Sequence, residues 1–95
     1  MVAPIENWAE LTGTVREVSP RADAPGVSEL RLAVDEARDV AGFPNLLTEA
    51  PGGELAVCVD DDSLGAIEPG TRVRVRAQRA GPRTVVAHAD GPIAC

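Results

Sequence analysis

The stretch "TRVRVRAQ", residues 71–78, alternates arginine with valine and alanine so regularly that only an extended chain accommodates it. Successive side chains of a strand point to opposite faces. Val73, Val75 and Ala77 therefore share one side, and Arg72, Arg74 and Arg76 share the other. The valine face predicts a core-facing strand, and four further segments repeat its period of two. "ELTGTVREV" (10–18) sets Leu11, Gly13 and Val15 against Thr12, Thr14 and Arg16, with Gly13 marking a bulge or tight bend. "VSELRLAVDEARDV" (27–40) places Leu30, Leu32 and Val34 on one face and Glu29, Arg31 and Asp35 on the other. "GELAVCV" (53–59) does the same with Leu55, Val57 and Val59, and "RTVVAHA" (83–89) closes the series.

The connections differ in kind. "RADAPG" (21–26) reads as a loop, and "RAGPR" (79–83) reads as a hairpin turn punctuated by Gly81 and Pro82. "AGFPNLLTEAPGG" (41–53) is an inserted loop with room for a one- to two-turn helix from Pro44 to about Ala50, stopped by Pro51, Gly52 and Gly53. "DDDSLGAIEPG" (60–70) predicts a second short helix, capped by Asp62 or Ser63 and ended at Pro69 and Gly70.

Composition sets the outer limits. The 95 residues fit one domain, 1–95, with residues 1–9 as an N-terminal extension. Trp8 and Phe43 are the only aromatic residues and valine is abundant, so the core must be aliphatic and strand-rich. No apolar run approaches the roughly 20 residues that span a bilayer, and the N-terminus lacks the pattern of a signal peptide. The expectation is a cytoplasmic protein. Cys58 and Cys95 do not make a disulfide framework. All nine basic residues are arginine, which reads as the mark of a GC-rich coding sequence.

Five short strands with a small helical plug before the fourth resemble an antiparallel OB-type barrel over residues 10–90, with "TGTV" opening the first strand. "SLGAIEPGTRVRVRA", leading into the fourth, also resembles the molybdate-binding-like MOP and TOBE barrels. Two departures stand against this second resemblance: the 41–53 insertion, and "QRAGPRT" where those domains have a basic, small, polar continuation. The expected fold is all-β, a five-stranded antiparallel OB-type barrel with one or two short helical turns. Fold alone does not assign function.

Charge offers one candidate surface. Residues 71–83 hold Arg72, Arg74, Arg76, Arg79 and Arg83 and no acid, a local +5 against −11 over the rest of the chain. A nucleic-acid rail needs stacking aromatics, and no strand carries one. The acidic background also repels a polyanion, which weighs against nucleic acid. The bland expectation pairs these arginines with carboxylates across the sheet. The functional one makes them half of a protein interface, where arginine is enriched. "GFPNLL" (42–47) adds Phe43, Leu46 and Leu47, either plugging the barrel end or forming a docking loop, with Trp8 in a position to join them.

Chemical sites are weaker. "DDD" (60–62) lacks the alternate spacing of a calcium loop, and helix capping and solubility explain it. Cys58, His88 and Cys95 lack zinc-ligand spacing. His88 near Asp90, or paired with Cys58, does not make a catalytic signature. The sequence reading is therefore a non-enzymatic binding or assembly module, an accessory subunit acting through Arg72, Arg74, Arg76, Arg79, Arg83, Phe43, Leu46 and Leu47. Its expected partner is a protein or a second copy, with no cofactor, metal or membrane. The alternative is a carrier of a molybdate-like oxyanion, and a further one is single-strand binding.

Overall fold

A computed structural model describes residues 5–21, 23–65, 67–81 and 84–95. The order along the chain is β1 (Ala9–Pro20), β2 (Val27–Asp39), β3 (Glu54–Asp60), α1 (Asp61–Leu64), β4 (Arg72–Gly81), β5 (Thr84–Ala87) and β6 (Ile93–Ala94). Every strand expected from the period of two is present, with ends within three residues of those read from the sequence.

The sheet runs β1-β2-β3-β5-β4, and β4 pairs back to β1, closing a five-stranded barrel. This agrees with the expected OB-like barrel. The pairing is mixed, however, and not purely antiparallel: β3 meets β5 in parallel through Cys58 and Val86. β4 runs opposite to β1 and β5 opposite to β4, so β5 points the same way as β3 and closes the sheet against it in parallel. β6 is a two-residue strap on the outer edge of β4, opposite Val73 and Arg74.

Alternation gives the core directly. Leu11, Val15, Leu30, Leu32, Val34, Val57, Val59, Val73, Val75, Ala77 and Val85 are all buried inside the barrel. Gly13 sits at a register shift between β1 and β2, as its position suggested. A Cβ there would stand 2.1 Å from the carbonyl oxygen of Ala33, so the strand crosses its partner too closely for any side chain.

The two connections with helical potential diverge. Residues 61–64 form the expected short helix, but its N-cap is Asp60 rather than Asp62 or Ser63, and no side chain caps it. The Asp61 carboxylate instead accepts the hydroxyl hydrogen of Ser28, 2.5 Å away. Residues 44–50 are irregular with a turn at Thr48 and Glu49, not a helix. Asn45 explains the difference: its Oδ1 accepts the N–H of Leu47, and its Nδ2 donates to the Ala37 carbonyl. A side chain that takes local backbone partners competes with the helix for them. Pro51, Gly52 and Gly53 continue as turns, and the N–H of Gly52 donates to the Val34 carbonyl.

Within this loop Leu47 is buried, while Phe43 and Leu46 remain 38% and 44% exposed. Leu47 plugs the barrel, and the other two stay outside. No helix among the described residues is long and apolar enough to cross a membrane.

Candidate functional site

The outer face of β4 carries Arg72, Arg74 and Arg76, all exposed, as the alternation requires. Their surroundings differ. Arg72 donates through Nη1 to the Asp35 carboxylate at 2.6 Å, the carboxylate partner expected for these arginines. Arg16, Arg21, Arg31 and Arg38 also have a carboxylate within 4.0 Å. Arg79, half-buried, donates through Nε to the Leu46 carbonyl and so ties β4 to the 41–53 loop. Among the described residues, Arg74 and Arg76 form no ion pair or side-chain hydrogen bond. Arg76 lies opposite Glu10 in the β1–β4 register, and both line one depression of this face. Arg83 lies outside the described residues.

Two shallow depressions meet at Arg76 and His88. One, of about 220 Å³, is lined by Glu10, Arg74, Arg76, His88, Asp90, Gly91 and Ile93. The other, of about 230 Å³, is lined by Glu6, Trp8, Val40, Phe43, Arg76 and His88. They share Arg76 and His88, and the groove so defined has Trp8 and Phe43 at one end and the exposed Ile93 at the other, with the guanidiniums of Arg74 and Arg76 set among the carboxylates of Glu6, Glu10 and Asp90. The sequence shows no aromatic on any strand, yet folding sets both of the chain's aromatic residues beside Arg76.

Local contacts fix this arrangement. Asn7, buried ahead of β1, accepts the N–H of Arg79 at 2.8 Å and donates to the Arg79 carbonyl at 3.0 Å. Its amide thus extends the β1–β4 ladder by one residue where no strand continues. The next residue, Trp8, bonds through its N–H to the Pro44 carbonyl, holding the tryptophan against the loop that carries Phe43. The indole meets the His88 ring edge-on, centroids 5.2 Å apart, and its Nε1 donates to Glu6.

His88 follows β5, and its backbone N–H donates to the Arg76 carbonyl, so ring and guanidinium leave adjacent strand positions. Its Nδ1 lies 3.1 Å from the Asp90 N–H and 3.3 Å from the Asp90 carboxylate, so Asp90 orients the ring. Gly91 turns the chain sharply with φ +69°, and a Cβ there would stand 2.5 Å from the Ser63 carbonyl. Trp8 lies beside the 42–47 loop, where the sequence offers it a place, whereas the supporting role of Asn7 and the place of His88 were not legible, because they depend on pairing with β4.

The remaining candidates do not gather into chemistry. Cys58 accepts a hydrogen bond from Arg21 Nη1 at 2.9 Å, whereas His88 contacts Trp8 and Asp90; the two do not form a dyad. Asp23 and Cys58 hold the Arg21 guanidinium still more firmly protonated than usual, and Arg21 in turn keeps the Asp23 carboxyl below its ordinary range. Among the described residues, no group of three or more His, Cys, Asp or Glu stands ready to hold a metal ion.

Fold and groove together define a small closed β-barrel with one groove of mixed apolar, basic and acidic lining. No family model, curated protein or solved structure matches the chain.

Proposed function

We propose that the protein is a non-enzymatic binding module that acts through protein contacts made by the outer face of β4 and the 41–53 loop. One observation carries this reading: among the described residues Arg74 and Arg76 form no ion pair or side-chain hydrogen bond, although five other arginines have carboxylates, and they lie in a groove with apolar side chains at its ends. Tryptophan and arginine in a common patch are the residues that carry most of the binding energy at protein interfaces. Arginine suits carboxylates because its planar fork donates two parallel hydrogen bonds. The apolar ends supply buried area, and the arginines supply orientation and specificity.

The test is capture of partners from native cytosol with the tagged protein, compared with the Arg74→Ala/Arg76→Ala double variant at low and raised salt. Both side chains are exposed, so the variant keeps its fold. The expected result is a stoichiometric partner lost from the variant and weakened by salt. A partner that binds both forms equally at low salt removes this face from the function.

The oxyanion-carrier reading draws on the same two unpaired guanidiniums. A melting-temperature rise with millimolar molybdate, tungstate or sulfate, absent from the double variant, would favour it over protein binding.

A further inference from the structure

The spacing and neighbours of the unpaired arginines say what kind of protein segment fits the groove. This inference rests on the protein-binding reading and names the partner's chemistry. Arg74 and Arg76 are two residues apart on one strand, so their Cα atoms are separated by about 6.6 Å. Any extended peptide repeats that spacing between its own residues i and i+2. Two carboxylates so placed along a peptide running beside β4 meet the two guanidiniums one to one. Beyond Arg76 the groove opens onto Trp8, Phe43 and Val40, which would receive an apolar side chain one further same-face step away.

The groove's own acids select among anionic occupants. Glu10 and Asp90 border the arginine end and Glu6 the aromatic end, and the chain as a whole carries −6. A phosphodiester strand bears charge at every step, so it would run its phosphates past these carboxylates and the field of an acidic protein. A peptide carries charge only where a side chain supplies it. Two carboxylates two residues apart can be set against Arg74 and Arg76 with uncharged residues elsewhere, so fewer charges pass Glu6, Glu10 and Asp90 than on a phosphodiester strand. His88, oriented by Asp90, adds a polar ring at the junction of the two depressions.

The geometry points to an extended acidic segment of a partner protein as the occupant: an aromatic or large aliphatic residue seated between Trp8 and Phe43, then acidic residues at the second and fourth positions after it, facing Arg76 and Arg74. The recognition is side chain to side chain. β5, His88 and β6 already cover the free edge of β4, so no strand is added to the sheet.

Trp8 is the chain's single tryptophan and lies in the groove, so its fluorescence reports occupancy directly. The probe is a capped peptide containing Phe-Gly-Asp-Gly-Glu, titrated at low salt. Comparison peptides carry Phe-Gly-Asn-Gly-Gln or place the two acids next to each other. A second probe is a short oligo(dT). The expected result is a saturable change in Trp8 emission with the first peptide, weakened about tenfold or more in either comparison peptide and in Arg74→Gln/Arg76→Gln. Arg72→Gln, whose guanidinium already belongs to Asp35, should bind as the wild type does.

Equal binding of the neutral peptide, indifference to the double substitution, or no saturable response up to millimolar peptide overturns the inference. Tighter binding of oligo(dT) than of the peptide also overturns it and assigns the groove to single strands. The two levels separate cleanly. A cytosolic partner lost from the Arg74/Arg76 double variant, together with a silent acidic peptide, keeps the binding module and removes this occupant. A partner retained by that variant removes both.

Discussion

Asn7 shows how one side chain can position a surface. It is 1% exposed, and its amide satisfies both the N–H and the carbonyl of Arg79 in place of a strand neighbour. Asn7→Ala strands those backbone groups, and an unsatisfied buried group costs about 1–3 kcal/mol. Chemical denaturation should report a loss of about 2 kcal/mol, with a red shift of Trp8 emission as its anchor loosens. A variant of unchanged stability and spectrum would show that water replaces the amide without penalty. Gly13 makes a complementary case, in which the absence of a side chain is what the fold needs. Gly13→Ala drives a Cβ into the backbone of Ala33, not into a movable side chain. The expected cost is at least about 1–3 kcal/mol, as for overpacked cores, and wild-type stability would contradict the close crossing.

At the scale of elements, the 41–53 loop divides its apolar residues between two tasks. Leu47 is fully buried against the barrel core, so Leu47→Ala leaves a cavity and should lower stability by about 2–5 kcal/mol. Phe43 is partly exposed in the groove, so Phe43→Ser should change stability by no more than about 0.5 kcal/mol while weakening whatever the groove binds. Equal destabilisation by the two substitutions would refute this division. The sequence makes the strands legible because each has one face in the core, and a period of two survives in the order of residues. It leaves the loop ambiguous, since "PNLLTEA" suits a helix until Asn45 finds Ala37 and Leu47. It offers Trp8 a place beside the Phe43 loop but hides that the two meet Arg76. Trp8, Phe43 and Arg76 stand far apart along the chain and meet only through the Trp8–Pro44 bond, the Asn7–Arg79 ladder and the His88–Arg76 bond. The parallel β3–β5 pairing was equally hidden, because closure depends on where the crossover returns and leaves no mark in the alternation of either strand.

At the scale of the molecule, that closure is the seam of the barrel. β1 and β2 pair through eleven residue pairs, two register shifts included, whereas β3 and β5 share only Cys58 and Val86. β5 is four residues long, with Val85 its one fully buried side chain, and β6 adds two residues against β4. Strands differ in how much must break for them to detach, and local opening follows the weakest set of contacts. The C-terminal segment Thr84–Ala94 should therefore open as a unit below the global unfolding free energy, leaving β1, β2 and β4 paired. Native-state hydrogen exchange at increasing denaturant tests this: amides of Val85, Val86 and His88 should lose protection first, and those of Leu11, Leu30 and Val75 last. His88 and Ile93 line the groove, so the same opening dismantles one side of it. A ligand held there binds only the closed form and must suppress the opening in proportion to its occupancy. Groove ligand that slows exchange at Val86 and His88, without altering Leu30, would tie the seam to binding. Uniform protection across all five barrel strands would show instead that the barrel opens only as a whole.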